Sequence, residues 1–209
     1  MKTIKLLISL ILLLTINSYA QLDKKTWLVG GSGSFNSYKQ NETFVFQGNG
    51  ESNEIQRTIK EVEFSPKVGY FIIDKLVVGL GASFTSEKSD AITITGSFGG
   101  GSSKSHSFSI GPFARYYFLK KDMPYNILAE ASYQLGSINN GNYIPQEKGK
   151  SNMASFFIGP ELFFNSSVGI ELLVGYKTST DKMDNPNINS YARNGFQVAI
   201  GFQIHLEKN

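Results

Sequence analysis

The sequence predicts an all-β chain: an eight-stranded antiparallel up-and-down transmembrane β-barrel. Three observations lead there. From Phe196 to Leu206 every second residue is large and apolar, while Gln197, Ala199, Gly201, Gln203 and His205 stand between them. A strand turns successive side chains to opposite faces, so this segment has one apolar face and one small or polar face. The same two-faced pattern recurs seven more times along the chain. The connections between these segments alternate short and long, as they do in barrels that cross a bilayer.

The first element is not part of the barrel. Lys2 and Lys5 form a positive start, Leu6 to Ile16 an apolar run broken only by Ser9 and Thr15, and Ser18-Tyr19-Ala20 a small-residue processing site. This is the pattern of a signal peptide cleaved before Gln21, leaving residues 21–209 as one barrel domain. The run is too short for a membrane helix, which needs about 20 apolar residues. The chain has no cysteine. That excludes a lipoprotein anchor, a disulfide framework, a thiolate metal site and a thiol nucleophile. The formal charge of +3 falls to +1 once Lys2 and Lys5 leave, and no basic cluster points to nucleic acid.

The strands follow in order. The first runs from about Trp27 to Phe35, with Trp27, Val29 and Phe35 opposed to Leu28, Gly30, Ser32 and Ser34. The second sets Val62, Phe64, Pro66, Val68, Tyr70 and Ile72 against Glu63, Ser65, Lys67, Gly69 and Phe71. The third sets Leu76, Val78, Leu80, Ala82 and Phe84 against Val77, Gly79, Gly81 and Ser83. The fourth sets Phe108, Ile110, Pro112, Ala114, Tyr116 and Phe118 against Ser107, Ser109, Gly111, Phe113, Arg115 and Tyr117. The fifth presents Tyr125 to Tyr133, the sixth Phe156 to Phe164 and the seventh Val168 to Tyr176 in the same alternation. In each, the apolar set is read as facing lipid and the small or polar set as facing the lumen.

Asp74-Lys75, Leu119 to Pro124 and Asn165-Ser166-Ser167 read as tight turns. Asn36 to Lys60, Thr85 to His106, Leu135 to Asn152 and Thr178 to Asn194 read as long polar loops. With eight strands, both termini fall on the short-turn side. Aromatics at the strand ends (Trp27, Phe35, Tyr70, Tyr116, Tyr125, Tyr176, Phe196) form the girdles expected at two membrane interfaces. A secreted lipocalin-like barrel would instead show a solvated face rich in Lys, Glu and Gln. Pro66, Pro112 and Pro160 stand at equivalent outward points, four residues before an aromatic. Proline cannot donate to a ladder, so a shared local bulge is expected there.

The Gly111-Pro112 and Gly159-Pro160 strands and the terminal Gly201-Phe202-Gln203-Ile204-His205-Leu206 resemble the small eight-stranded outer-membrane barrels. These include the transmembrane domain of outer membrane protein A and the outer membrane protein X group, with the style of Bacteroidetes-type sequences. The resemblance spans nearly all of residues 21–209. It implies a Gram-negative outer-membrane location, periplasmic termini, a monomer, and contact with outer-membrane lipids and lipopolysaccharide. The chain departs from the group in ending on Glu207-Lys208-Asn209 and not on an aromatic.

Candidate chemistry is sparse, and no catalytic residue, cofactor or metal is expected. The tempting side chain is His106, because some outer-membrane barrels modify lipid A with a histidine and serine two apart on one strand. Here Phe108 holds that place and Ser107 faces the other way, so no serine proton lies in reach along the strand. Gly99-Gly100-Gly101 lacks the lysine and helix of a phosphate loop. Asp181, Asp184, Asn185 and Asn187 lack the glycine turn and bidentate glutamate of a calcium loop. The inward charges Lys67, Arg115, Glu130, Glu161, Glu171 and Lys177 must pair, since isolated charges in a narrow lumen are costly. Centring the last short turn on Ser166 sets Glu161 opposite Glu171, a pair that must keep a proton on one carboxyl or bind a cation, Arg115 or Lys67; Arg115 is favoured because its planar fork can bridge two carboxylates.

An eight-stranded barrel is just wide enough for its own side chains, so these residues read as a structural polar plug. The expected role is structural or surface-interacting, through long outer loops that meet lipopolysaccharide or an extracellular protein or glycan. The alternatives are an outer-leaflet lipid A-modifying enzyme and a narrow ion-conducting pore.

Overall fold

A computed structural model describes residues 22–45, 52–95, 100–140, 147–184 and 191–206. Eight strands close into one antiparallel barrel, each paired with its sequence neighbours and the last with the first. They are β1 (Trp27–Val45), β2 (Ser52–Ile73), β3 (Leu76–Thr95), β4 (Gly101–Tyr117), β5 (Tyr125–Asn140), β6 (Glu147–Phe163), β7 (Val168–Met183) and β8 (Tyr191–Leu206). The signal segment and the residues Asn185 and Asn187 lie outside the described residues.

The alternation places the side chains as the pattern requires. Trp27, Phe64, Leu80, Ile110, Leu135, Ile158, Leu172 and Ile200 are exposed on the outer wall. Leu28, Phe71, Val77, Tyr117, Leu128 and Phe163 are buried in the lumen. A protein whose large apolar side chains point outward on all eight strands is shaped for hydrocarbon, not for water.

The strands are longer than the sequence pattern indicates. They run 16 to 22 residues, whereas crossing a bilayer takes about 9–11. Most of the segments read as long polar loops are therefore paired strand, in register from Asn36↔Glu61 up to Val45↔Ser52 and from Thr85↔Ser107 up to Ala91↔Gly101. Polar alternation carries no outward apolar signal, so these extensions look like loop in sequence. As a consequence the upper aromatics Phe35, Tyr176 and Phe196 sit within their strands and not at the ends.

The proline expectation also needs correction. Pairing with the following strand lapses at Pro66, Pro112 and Pro160, but the register on either side is unchanged, so no bulge forms there. Each proline stays paired on its other side, to Gly31, Leu80 and Ile127. The adjoining glycines allow the close approach: a Cβ at Gly111 would stand 2.0 Å from the Tyr133 carbonyl, and at Gly159 1.9 Å from that of Leu172. The register shifts that do occur lie in the β2–β3 hairpin, at Glu54/Ile55 and Phe71/Ile73.

At the short-turn end, Lys75 takes a left-handed φ of 67° in the two-residue β2–β3 turn. The residues before β1 fold beneath the barrel. Leu22 is fully buried against Leu28, Phe71 and Tyr117, and its carbonyl accepts from the Lys75 amide at 2.9 Å. Lys121 Nζ ties this segment down by pairing with Asp23 and, at 2.8 Å, with Asp74. An apolar stopper thus closes the lower lumen.

Candidate functional site: the lumen and its upper vestibule

The inward charges form two groups along the lumen. In the lower group Arg115, with 0% exposure, is the hub. Its Nε donates to Glu130 Oε2 at 2.8 Å and its Nη2 lies 2.7 Å from the same oxygen. Its Nη1 stands 2.8 Å from Glu171 Oε2 and 3.6 Å from Glu161 Oε2. Glu161 and Glu171 are direct cross-strand partners on β6 and β7. Lys67 donates to the other oxygen of Glu130 at 2.5 Å.

Three further side chains contact these carboxylates. The Tyr117 hydroxyl donates to Glu161 Oε2 at 2.8 Å, His205 Nε2 lies 2.9 Å from Glu161 Oε1, and Gln203 Nε2 donates to Glu171 Oε1 at 2.9 Å. Arg115 and Lys67 thus meet three carboxylates, whose other contacts come from the Tyr117 hydroxyl, the His205 ring and the Gln203 amide.

Lys177 belongs elsewhere. It pairs with Glu63 in an upper group that also holds Ser65, bonded to Glu63 Oε1 at 2.9 Å, and Gln197, whose Nε2 reaches Glu63 Oε2 at 3.2 Å. Higher still, Arg193 joins Glu87 and Asp181 at 2.5 and 2.7 Å. Glu63, Tyr117 and Gln203 could have been found by their inward parity; Arg193, in a segment read as loop, gave no signal, because its partners Glu87 and Asp181 lie on other strands.

Above the lower group the lumen is not filled. A cavity of about 430 Å³ is lined by Ser107, Ser109, Ser151, Ser179, Thr85 and Asn36, with Glu61, Lys177 and Arg193 at its charged positions. A cavity thus stands in the upper lumen, where the sequence reading expects a packed polar plug. The small side chains read as a tight fit in sequence leave a vestibule where the barrel extends upward.

His106 is exposed on the outer wall, directly opposite Ser86 on β3 and Asn139 on β5. The serine missing along the strand is thus supplied across it, although no hydrogen bond joins Ser86 to His106. Among the described residues no cluster of His, Asp and Glu could hold a metal ion.

No protein-family model and no curated protein matches the sequence. Among solved structures, the outer membrane protein OprG from Pseudomonas aeruginosa aligns with a TM-score of 0.53 at 12% identity, covering 92% of this chain and 100% of that one. The chain has the fold of a small outer-membrane β-barrel. Two further similar structures are the N-terminal β-barrel domain of Pseudomonas aeruginosa OprF and Neisserial surface protein A. Their TM-scores are 0.48 and 0.44, at 11% and 13% identity; they cover 88% and 86% of this chain and 98% and 96% of their own.

Proposed function

We propose that the mature protein, beginning at Gln21, is a monomeric integral barrel of a Gram-negative outer membrane with both termini in the periplasm. Its role is structural and surface-interacting: a rigid wall carries four extended hairpins beyond the membrane, where they meet phosphorylated lipopolysaccharide. The lower lumen serves as a structural polar network, not a conduction path.

One observation carries the lipopolysaccharide contact. Lys60, Lys88 and Lys104 are exposed on the outer wall in one cross-strand row over β2, β3 and β4. They stand one or two outward positions beyond Val62, Phe84 and Phe108, where the continuous apolar band of those strands ends. Like charges directly opposite one another destabilise a sheet. Lys88 also reaches Asp90 at 3.0 Å, which offsets part of that repulsion. A row of lysines at the top of an apolar band is suited to anionic headgroups of the outer leaflet.

The test is co-flotation with vesicles containing lipopolysaccharide, before and after enzymatic removal of its phosphates. The wild-type protein should retain lipopolysaccharide in a salt-sensitive manner. The triple variant Lys60→Gln, Lys88→Gln, Lys104→Gln should insert normally but lose that retention. Equal retention by both proteins sinks the contact, and recovery of folded protein in soluble periplasm sinks the membrane reading itself.

A second reading rests on the Ser86–His106 row: hydrolysis of lipid acyl esters at the outer leaflet. Lipid A whose mass profile is the same with wild-type protein and with His106→Ala rejects it.

A further inference from the structure

Among the described residues, the closed wall of this barrel is not paired along its full height at the β1–β8 seam. β1 and β8 both continue far above their last paired residues. Their ladder begins at Trp27↔Leu206 and stops at Gly33↔Ile200, although β1 runs on to Val45 and β8 reaches back to Tyr191. The other strand pairs continue well above this height. The residues flanking the gap are unusually bare: Phe196 is 84% exposed, and Phe35 and Ile200 are each 64% exposed. A Cβ built on Gly195 would touch nothing within 4 Å, and one on Gly33 would meet only the Glu63 carbonyl, on the β2 side, at 3.7 Å. Across the gap, among the described residues, Gln197 Nε2 donates to the Ser34 hydroxyl.

This gap opens at the depth of the upper aromatics, where apolar side chains flank it. Unpaired backbone N–H and C=O groups are costly in hydrocarbon unless they line a polar cavity. Here they do. The vestibule of about 430 Å³ is bounded by Asn36 and Ser37 on the β1 side and by Asn194, Gly195 and Phe196 on the β8 side. The cavity therefore reaches the seam, and its size is that of a small-ligand site.

We propose that the upper β1–β8 seam is a lateral portal that admits one single-chain lipid. Its acyl chain lies against Phe196 and Ile200 while its neutral, hydroxyl-bearing headgroup occupies the vestibule. The headgroup chemistry follows from the lining. The charged side chains in and around the cavity are Glu61, Glu63, Glu87 and Asp181 against Lys177 and Arg193, and both cations are already ion-paired. An anionic headgroup meets excess negative charge there. The serine and threonine hydroxyls suit a polyol, and Gln197, 5% exposed, has an Oε1 with no hydrogen-bond partner. That acceptor calls for a donor, which a headgroup hydroxyl supplies. The inference rests on membrane insertion but not on lipopolysaccharide contact, and vesicle flotation of each variant checks insertion separately.

The test exploits the absence of native cysteine. Phe35→Cys with Val198→Cys extends the β1–β8 register upward, so a disulfide between them closes the portal. The protein is released from micelles holding monooleoylglycerol, or oleate as the anionic control, and adducts are read by native mass spectrometry. One retained monooleoylglycerol is expected with the reduced pair. Retention should fall at least tenfold on oxidation, return on reduction, and be at least tenfold weaker for oleate. Ser179→Phe, which fills the vestibule without touching the seam, should abolish retention whether or not the staple forms. Retention that survives Ser179→Phe, or that favours oleate, overturns the proposal. So does a lipid-free species of two copies, which would assign the open edges to pairing between chains.

Discussion

Replacing Arg115 by alanine is the most informative perturbation of this barrel. The guanidinium touches Glu130, Glu171 and Tyr117 and lies near Glu161, with no access to water. After its removal the carboxylates do not suffer equally. Glu130 keeps Lys67 at 2.5 Å, and Glu161 keeps the Tyr117 hydroxyl and His205. Glu171 is left with Gln203 alone, facing the like charge of Glu161 across the β6–β7 ladder. Removing one partner of a buried ion pair costs about 3–5 kcal/mol, because the other charge remains buried.

Arg115→Ala should therefore lose about 3–5 kcal/mol in urea unfolding of the vesicle-inserted protein. Heat-modifiable gel migration reports the folded fraction. Adding Glu171→Gln should recover the larger part of the loss, since it neutralises the charge with fewest partners. Glu161→Gln alone should recover less, because Glu161 retains a hydroxyl donor and the imidazole. The triple variant should approach the wild type. If it is no more stable than Arg115→Ala alone, the destabilisation comes from the lost volume, and stranded charge is refuted as its cause.

Leu172→Arg, at a position 49% exposed on the outer wall, should cost about 2–4 kcal/mol near the bilayer midplane; a wild-type unfolding midpoint in vesicles would contradict a lipid-facing position. Gly159→Ala should cost about 1–3 kcal/mol or prevent folding, because its Cβ would lie 1.9 Å from the Leu172 carbonyl; wild-type refolding yield and urea midpoint would refute it. The Asp74 carboxyl sits below its usual range because the Lys121 ammonium, and then the Lys24 amide, donate to it. A depressed carboxyl stabilises above its unfolded value, about 3.9, and that stabilisation is lost as pH falls through the lower, folded value. Protease access to residues 22–26 should accordingly rise in acid, and Lys121→Ala should show the open state already at neutral pH.

How much of the fold was legible in the sequence depends on whether a residue's partner is local. The strands within the membrane were readable because the period-two signal needs only neighbours: Ile170, Leu172 and Val174 announce their own face. The Glu161–Glu171 pair was readable because a three-residue turn fixes a hairpin's register. Above the membrane the outward residues turn polar, as at Lys60 and Lys88, and the contrast that marks a strand vanishes. There the paired extensions look like loops.

Closure is the step that no local pattern encodes. Whether β1 and β8 stay paired depends on how far the first and last strands diverge after the other seven pairings have set the curvature of the wall. Gln197 and Ser34 stand 163 residues apart in sequence yet meet across that seam. Gly195 and Gly33 flank it with no side chain to bridge the gap, and Phe196 and Phe35 project from it into the apolar band. In sequence each of these is an ordinary member of an alternating strand. Their shared property, an edge left unpaired beside a polar cavity, exists only once the sheet has curved round to meet itself. The wall is thus a consequence of repeated local alternation, whereas the place where it opens is a consequence of the whole circuit.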